Sequence, residues 1–127
     1  MRKSTLAPAA VLAAILAFSL WNSAAMTRHT QRWREQLFET EQFAAAGDWQ
    51  SAAGALSASY EDWSTRQVFL HIVSQHDAVD DAEAMYRRAM AFAVEEEASE
   101  FRAEVADLRD QLRLLSEMER FSIKNIL

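Results

Sequence analysis

Five residues near the middle of the chain, His71, His76, Asp77, Asp80 and Asp81, form the one cluster whose side chains could hold a metal ion. On a single helix, His76 and Asp80 would lie four apart and share a face, as two ligands to one ion require. A metal-dependent enzyme around His76 is the catalytic alternative this pair supports. Local structure competes for the same residues. A helix boundary is expected between His76 and Asp77, with Asp77 as N-cap and Asp80 three residues later, a capping box built with a shorter acid. His71 is five residues from His76, about 140° around a helix, so the two histidines diverge. A histidine closing one helix beside the acidic cap of the next accounts for the cluster without an ion. Neither a metal nor another cofactor is expected.

The other ionisable residues offer no stronger centre. None of the paired carboxylates is flanked by apolar residues that would raise a pKa for acid–base work. Glu95, Glu96 and Glu97 read as a solvated helix start, where acids meet the positive end of the helix dipole. A calcium loop would need alternating acidic ligands around a glycine, which the sequence lacks. With no cysteine there is no disulfide, thiolate metal site or thiol nucleophile. Beyond residue 27 the chain carries 11 basic and 19 acidic residues, a net charge of −8. That balance opposes the basic face nucleic acid requires. The expectation is a protein that is not an enzyme.

The elements around these residues begin with an apolar run over residues 6–26, with no charged side chain between Lys3 and Arg28. At about 1.5 Å per residue, ~20 such residues cross a hydrocarbon core of roughly 30 Å. Arg2 and Lys3 precede the run, as in signal peptides and signal anchors alike. Ser23, Ala24 and Ala25 would suit a signal peptidase, and a secreted domain cleaved near Ala25 is the alternative. The run exceeds a usual signal core, however, and Trp21 stands where an interfacial aromatic belongs. A retained anchor is therefore expected, with the N-terminus inside and the rest extracytoplasmic. Trp21, Arg28, Arg32 and Trp33 are the candidate membrane-interface residues, Trp33 being equally suited to the bundle. Arg34 joins Arg28 and Arg32 as ordinary membrane flanking, although all three could meet anionic headgroups. The division is a basic tail at 1–5, an anchor at 6–26 and a helical domain at 27–127.

Two glycines and one proline leave little material for hairpins, so the domain reads as helical. The first helix is expected to continue out of the membrane, with Trp33, Leu37 and Ala44 on one face, Phe38 and Phe43 widening it, and a stop at Gly47. Asp48 caps the second, which places Trp49, Ala53, Leu56, Tyr60 and Trp63 on a stripe. The local turn resembles one from a tetratricopeptide repeat, but no second copy recurs at a roughly 34-residue period. Val79, Ala82, Tyr86, Ala89 and Ala93 form the third stripe, flanked by Met85, Met90 and Phe92. Phe101, Val105, Leu108, Leu112 and Leu115 form the fourth. The fold class is all-α: an N-terminal transmembrane helix followed by an antiparallel up-down four-helix bundle.

Trp49, Trp63, the stretch His76-Asp77-Ala78-Val79-Asp80-Asp81-Ala82-Glu83, Arg88 and the ending Phe121-Ser122-Ile123-Lys124-Asn125-Ile126-Leu127 carry a resemblance. Together they resemble small bacterial membrane-anchored helical proteins grouped as a domain of unknown function. The chain departs from that pattern at Ala82 and Ala89, where larger aliphatics are usual, which implies a smaller or repacked core there. The resemblance implies a membrane-anchored extracytoplasmic helical domain and carries over no catalytic residue. The partners expected are the bilayer, through residues 6–26, and another membrane or envelope protein. Phe121, Ile123, Ile126 and Leu127 are the candidate partner contacts, in a tail expected either to fold back on the bundle or to dock elsewhere.

Overall fold

The computed structural model describes the backbone of residues 3–66 and 76–126 and the side chains of residues 6–66 and 77–118. Among these residues there are four helices and no strand: α1 (Lys3–Ala45), α2 (Trp49–Thr65), α3 (His76–Val94) and α4 (Ala98–Ile126). α1 packs on α2 and α4, and α3 packs on α4 and α2, so the helices form a ring in chain order. This is the expected helical bundle. The apolar run and the first bundle helix are one uninterrupted helix, with no break at residue 26.

The stripes on α3 and α4 are buried as their spacing requires. Val79, Ala82, Tyr86 and Ala89 are fully enclosed, as are Phe101, Val105, Leu108, Leu112 and Leu115. Each large apolar side chain withdrawn in this way contributes about 1.5–3 kcal/mol. Because α3 offers alanines at 82 and 89, rings fill the space between the helices. Trp63 and Tyr86 lie 5.3 Å apart, Tyr60 and Tyr86 5.4 Å, and Trp49 meets the edge of Phe101 at 5.3 Å. On α1 the buried face is Met26, Thr30, Trp33, Leu37, Thr40 and Ala44. Phe38 and Phe43, expected to widen that face, instead point outward, 46% and 38% exposed. The buried stripe is narrower because α2 and α4 cover only the series that includes Thr30 and Thr40.

Two turns at the same end of the bundle share one hydrogen-bond pattern. Gly47 donates to the Ala44 carbonyl and Asp48 to that of Phe43, with Gly47 left-handed at φ 77°. Asp48 then accepts from the Ser51 amide at 3.1 Å and caps α2, as expected. In the second turn Glu96 donates to Ala93 and Glu97 to Phe92, with Glu96 left-handed at φ 53°. Both are Schellman closures. Glu95, Glu96 and Glu97 are thus the turn itself, not the opening of α4, which begins at Ala98. Similarly, α3 includes His76, placing Asp77 in its first turn instead of at its cap.

The backbone of 121–126 continues α4, and what the tail's side chains touch lies outside the described residues. A contact between the Thr27 and Ser116 hydroxyls, 3.4 Å apart, aligns α4 antiparallel to α1.

Candidate functional site

The most connected polar feature is a seam through α1, α2 and α3. Asp62 sits beside the turn-related position of α1, since Arg32 and Asp62 are equidistant from Gly47. Its Oδ2 accepts from the Trp33 indole at 2.6 Å and from Arg32 Nε at 2.9 Å. One turn deeper, the buried Ser59 hydroxyl lies 2.8 Å from the Tyr86 hydroxyl and 3.5 Å from the Trp33 carbonyl. Burial pushes the Tyr86 phenol far above its ordinary range, so it remains a neutral hydroxyl. Ser59 therefore has a phenol and a carbonyl for partners, neither of them a base that could activate it. The Tyr60 hydroxyl donates to Glu83 at 2.8 Å, which raises the phenol's pKa, and Arg87 donates to the same carboxylate at 2.9 Å. This seam registers three helices against one another.

The candidate membrane-flanking residues separate into two groups. Trp21 is exposed on the apolar half of α1, and Arg28 is exposed just beyond it. Trp33 is 1% exposed, its indole committed to Asp62, so it belongs to the bundle core and not to an interface. Arg32 pairs with Asp62 across α1 and α2, although its side chain remains half exposed. Between these groups lies His29, stacked 6.1 Å from Trp33. Desolvation lowers its pKa below the usual imidazole value, and Arg66, Arg32 and Arg28 lower it further against the opposing pull of Asp62.

A groove follows the α1–α4 contact. Near its middle, Arg109 lies 5.2 Å over the Phe38 ring and 3.4 Å from Glu41. Toward the N-terminal side, Arg34 lies between two cavities of about 270 and 230 Å³. In sequence Arg34 stood out only as one of three membrane-flanking arginines able to meet anionic headgroups, and the groove did not stand out. No local signal marked its hydroxyls, because Thr27 on α1 and Ser116 on α4 meet only through packing.

The metal candidates are not brought together by anything described. The His71 and His76 side chains lie outside the described residues, and Asp77 and Asp80 are exposed on α3. Among the described residues no group of three His, Asp or Glu side chains is placed to hold an ion. The candidate partner contacts Phe121, Ile123, Ile126 and Leu127 also lie outside the described side chains.

The model of a family described as a domain of unknown function (DUF4363) matches residues 20–126, from the end of the apolar run through the bundle. No curated protein and no solved structure matches the chain.

Proposed function

The chain belongs to the family of domain of unknown function DUF4363, and from that premise we propose that it is a single-pass membrane protein whose bundle is an accessory, protein-binding subunit of an envelope complex. The observation that carries this reading is the continuity of α1. One end of that helix exposes Leu6, Val11, Leu12, Ile15, Phe18, Leu20 and Trp21, while the other contributes Trp33 and Leu37 to the core. The helix is long and apolar enough to cross a membrane, although a signal sequence would meet the same criteria. Against removal, cleavage after Ala25 would cut α1 in mid-helix and make Met26, 2% exposed in the core, the first residue. A retained helix keeps the bundle close to the bilayer, with Arg2 and Lys3 favouring a cytoplasmic N-terminus. In this arrangement the bundle binds and positions another envelope protein and performs no catalytic step. Phe38 and Phe43 supply outward aromatic surface of the type enriched at interfaces.

Carbonate extraction with mass spectrometry of the N-terminus tests the anchor. Retention in membranes with peptides preceding Ala25 supports it, whereas a soluble chain starting at Met26 replaces it with the secreted alternative. Purification from native membranes in mild detergent then tests the accessory role. A stoichiometric membrane or envelope protein whose recovery falls with Phe43→Ala supports the reading. Recovery of the chain alone from abundant material would overturn it.

A further inference from the structure

The 230 Å³ cavity between α1 and α4 is lined chiefly by hydrogen-bond donors. Thr27, Thr30 and Ser116 contribute hydroxyls, and Arg34 and Arg113 contribute guanidiniums. Glu117, the one carboxylate in the lining, accepts from Arg113 at 2.8 Å, and Asp110 lies 3.5 Å from the same guanidinium. Arg113 is therefore neutralised by its own helix. Arg34 forms no ion pair among the described residues, and its Nε is shut off from solvent without a hydrogen-bond partner. One turn earlier Thr30 is 3% exposed, and its Oγ1 is likewise buried and unpartnered. Guanidinium and hydroxyl groups both donate to an oxyanion, and its binding would satisfy groups that the fold leaves unpaired.

The depth of the cavity identifies a source for that oxyanion. If residues 6–26 fill a hydrocarbon core of roughly 30 Å, the next ~5–7 Å along α1 lie in the headgroup layer. Thr27 and Thr30 fall in that layer, and Arg34 reaches back toward it. We propose that this cavity binds the phosphate of a phospholipid headgroup, with the acyl chains lying along the exposed apolar half of α1. This inference rests on the anchor reading given above. Arg34 supplies the charge, Thr30 supplies a directional donor, and the Arg113–Glu117 pair forms the rim, while the Ser116 hydroxyl is held by Thr27.

Native mass spectrometry of the full-length protein in detergent tests this with dioleoylphosphatidylglycerol as the lipid probe and inorganic phosphate as competitor. The expected result is one retained lipid per chain, with apparent affinity reduced about tenfold by Arg34→Gln and also reduced by Thr30→Val. Arg34→Gln should keep the wild-type unfolding midpoint, and Thr30→Val, which removes a buried unpartnered hydroxyl, should not lower it, which separates lost binding from lost structure. Equal lipid retention by wild type and both variants would overturn the site while leaving a carbonate-resistant anchor intact. Displacement of the lipid by millimolar phosphate, with Arg34-dependent phosphate binding by calorimetry, would assign the site to free phosphate instead. A chain released by carbonate and lacking residues 1–25 would overturn the anchor, and the headgroup assignment with it.

Discussion

Leu12 and Leu37 lie on one uninterrupted helix, yet Leu12 is 67% exposed and Leu37 is fully buried. The backbone does not distinguish the two halves of α1; the side-chain pattern does. From residue 6 to residue 21 the helix is apolar all round, so no orientation against a single bundle could cover it. From Met26 onward, apolar and small residues recur on one stripe, while Gln31, Glu35 and Glu39 face away. A continuous apolar surface of the first kind is larger than soluble monomers ordinarily leave to water. The second kind needs only α2 and α4 beside it. Stability should therefore reside in one half and location in the other.

The same substitution in both halves tests that separation most strongly. Leu37→Ala should destabilise the bundle by about 2–5 kcal/mol, through lost transfer energy and the cavity left behind. Leu12→Ala should change bundle stability by no more than about 0.5 kcal/mol. Denaturant unfolding of the full chain in detergent, followed by tryptophan fluorescence, measures both. Comparable losses would show that the halves are energetically coupled.

The polar seam gives the bundle half a second distinguishing property. Asp62→Ala leaves the buried Trp33 indole without its acceptor and Arg32 without its counter-ion. A loss of about 1–3 kcal/mol is expected. Asp62→Asn should cost less, because an amide oxygen can still accept from the indole. If the two variants unfold alike, the charge and not the indole hydrogen bond holds α1 to α2.

Thr40 sharpens the comparison with an effect of opposite sign. Its side chain is fully buried and Oγ1 has no partner, so the hydroxyl opposes folding there. Thr40→Val should raise stability by about 1 kcal/mol in the same unfolding assay. An unchanged midpoint would mean that the hydroxyl finds an acceptor in solution.

The sequence made the apolar half of α1, the α3 and α4 stripes and the Gly47 corner legible, since each rests on local spacing or local turn chemistry. Other features depend on neighbours in space. Trp33 reads equally well as an interfacial or a core residue until Asp62 is known to lie beside it. Glu96 illustrates a different difficulty: the first turn advertises its left-handed residue with glycine, whereas the second uses glutamate, which sequence reading assigns to a helix start. Phe38 and Phe43 belong by period to the edge of the stripe, and only the actual positions of α2 and α4 determine that they are left outside. Of the α1–α4 groove, the arginine spacing was visible but the hydroxyl lining was not, because Thr27 and Ser116 meet only through tertiary packing.

His29 marks the border between the halves, and its titration should produce the smallest effect. Desolvation and the nearby Arg66, Arg32 and Arg28 lower its folded-state pKa, whereas Asp62 alone raises it. In the unfolded chain the ring titrates near its ordinary value of about 6.5. Between the lowered folded value and 6.5 the unfolded state binds more protons, so stability rises with pH across that interval. The contribution is therefore complete above pH ~6.5 and declines as the pH falls toward the folded value. The ring is only partly buried and so partly screened by solvent, which keeps the effect small. His29→Gln should flatten this component, so the wild-type-minus-variant unfolding midpoint should fall as pH is lowered through that interval. A difference that grows more positive on acidification would mean that Asp62 outweighs the three arginines and that the border is electrostatically acidic.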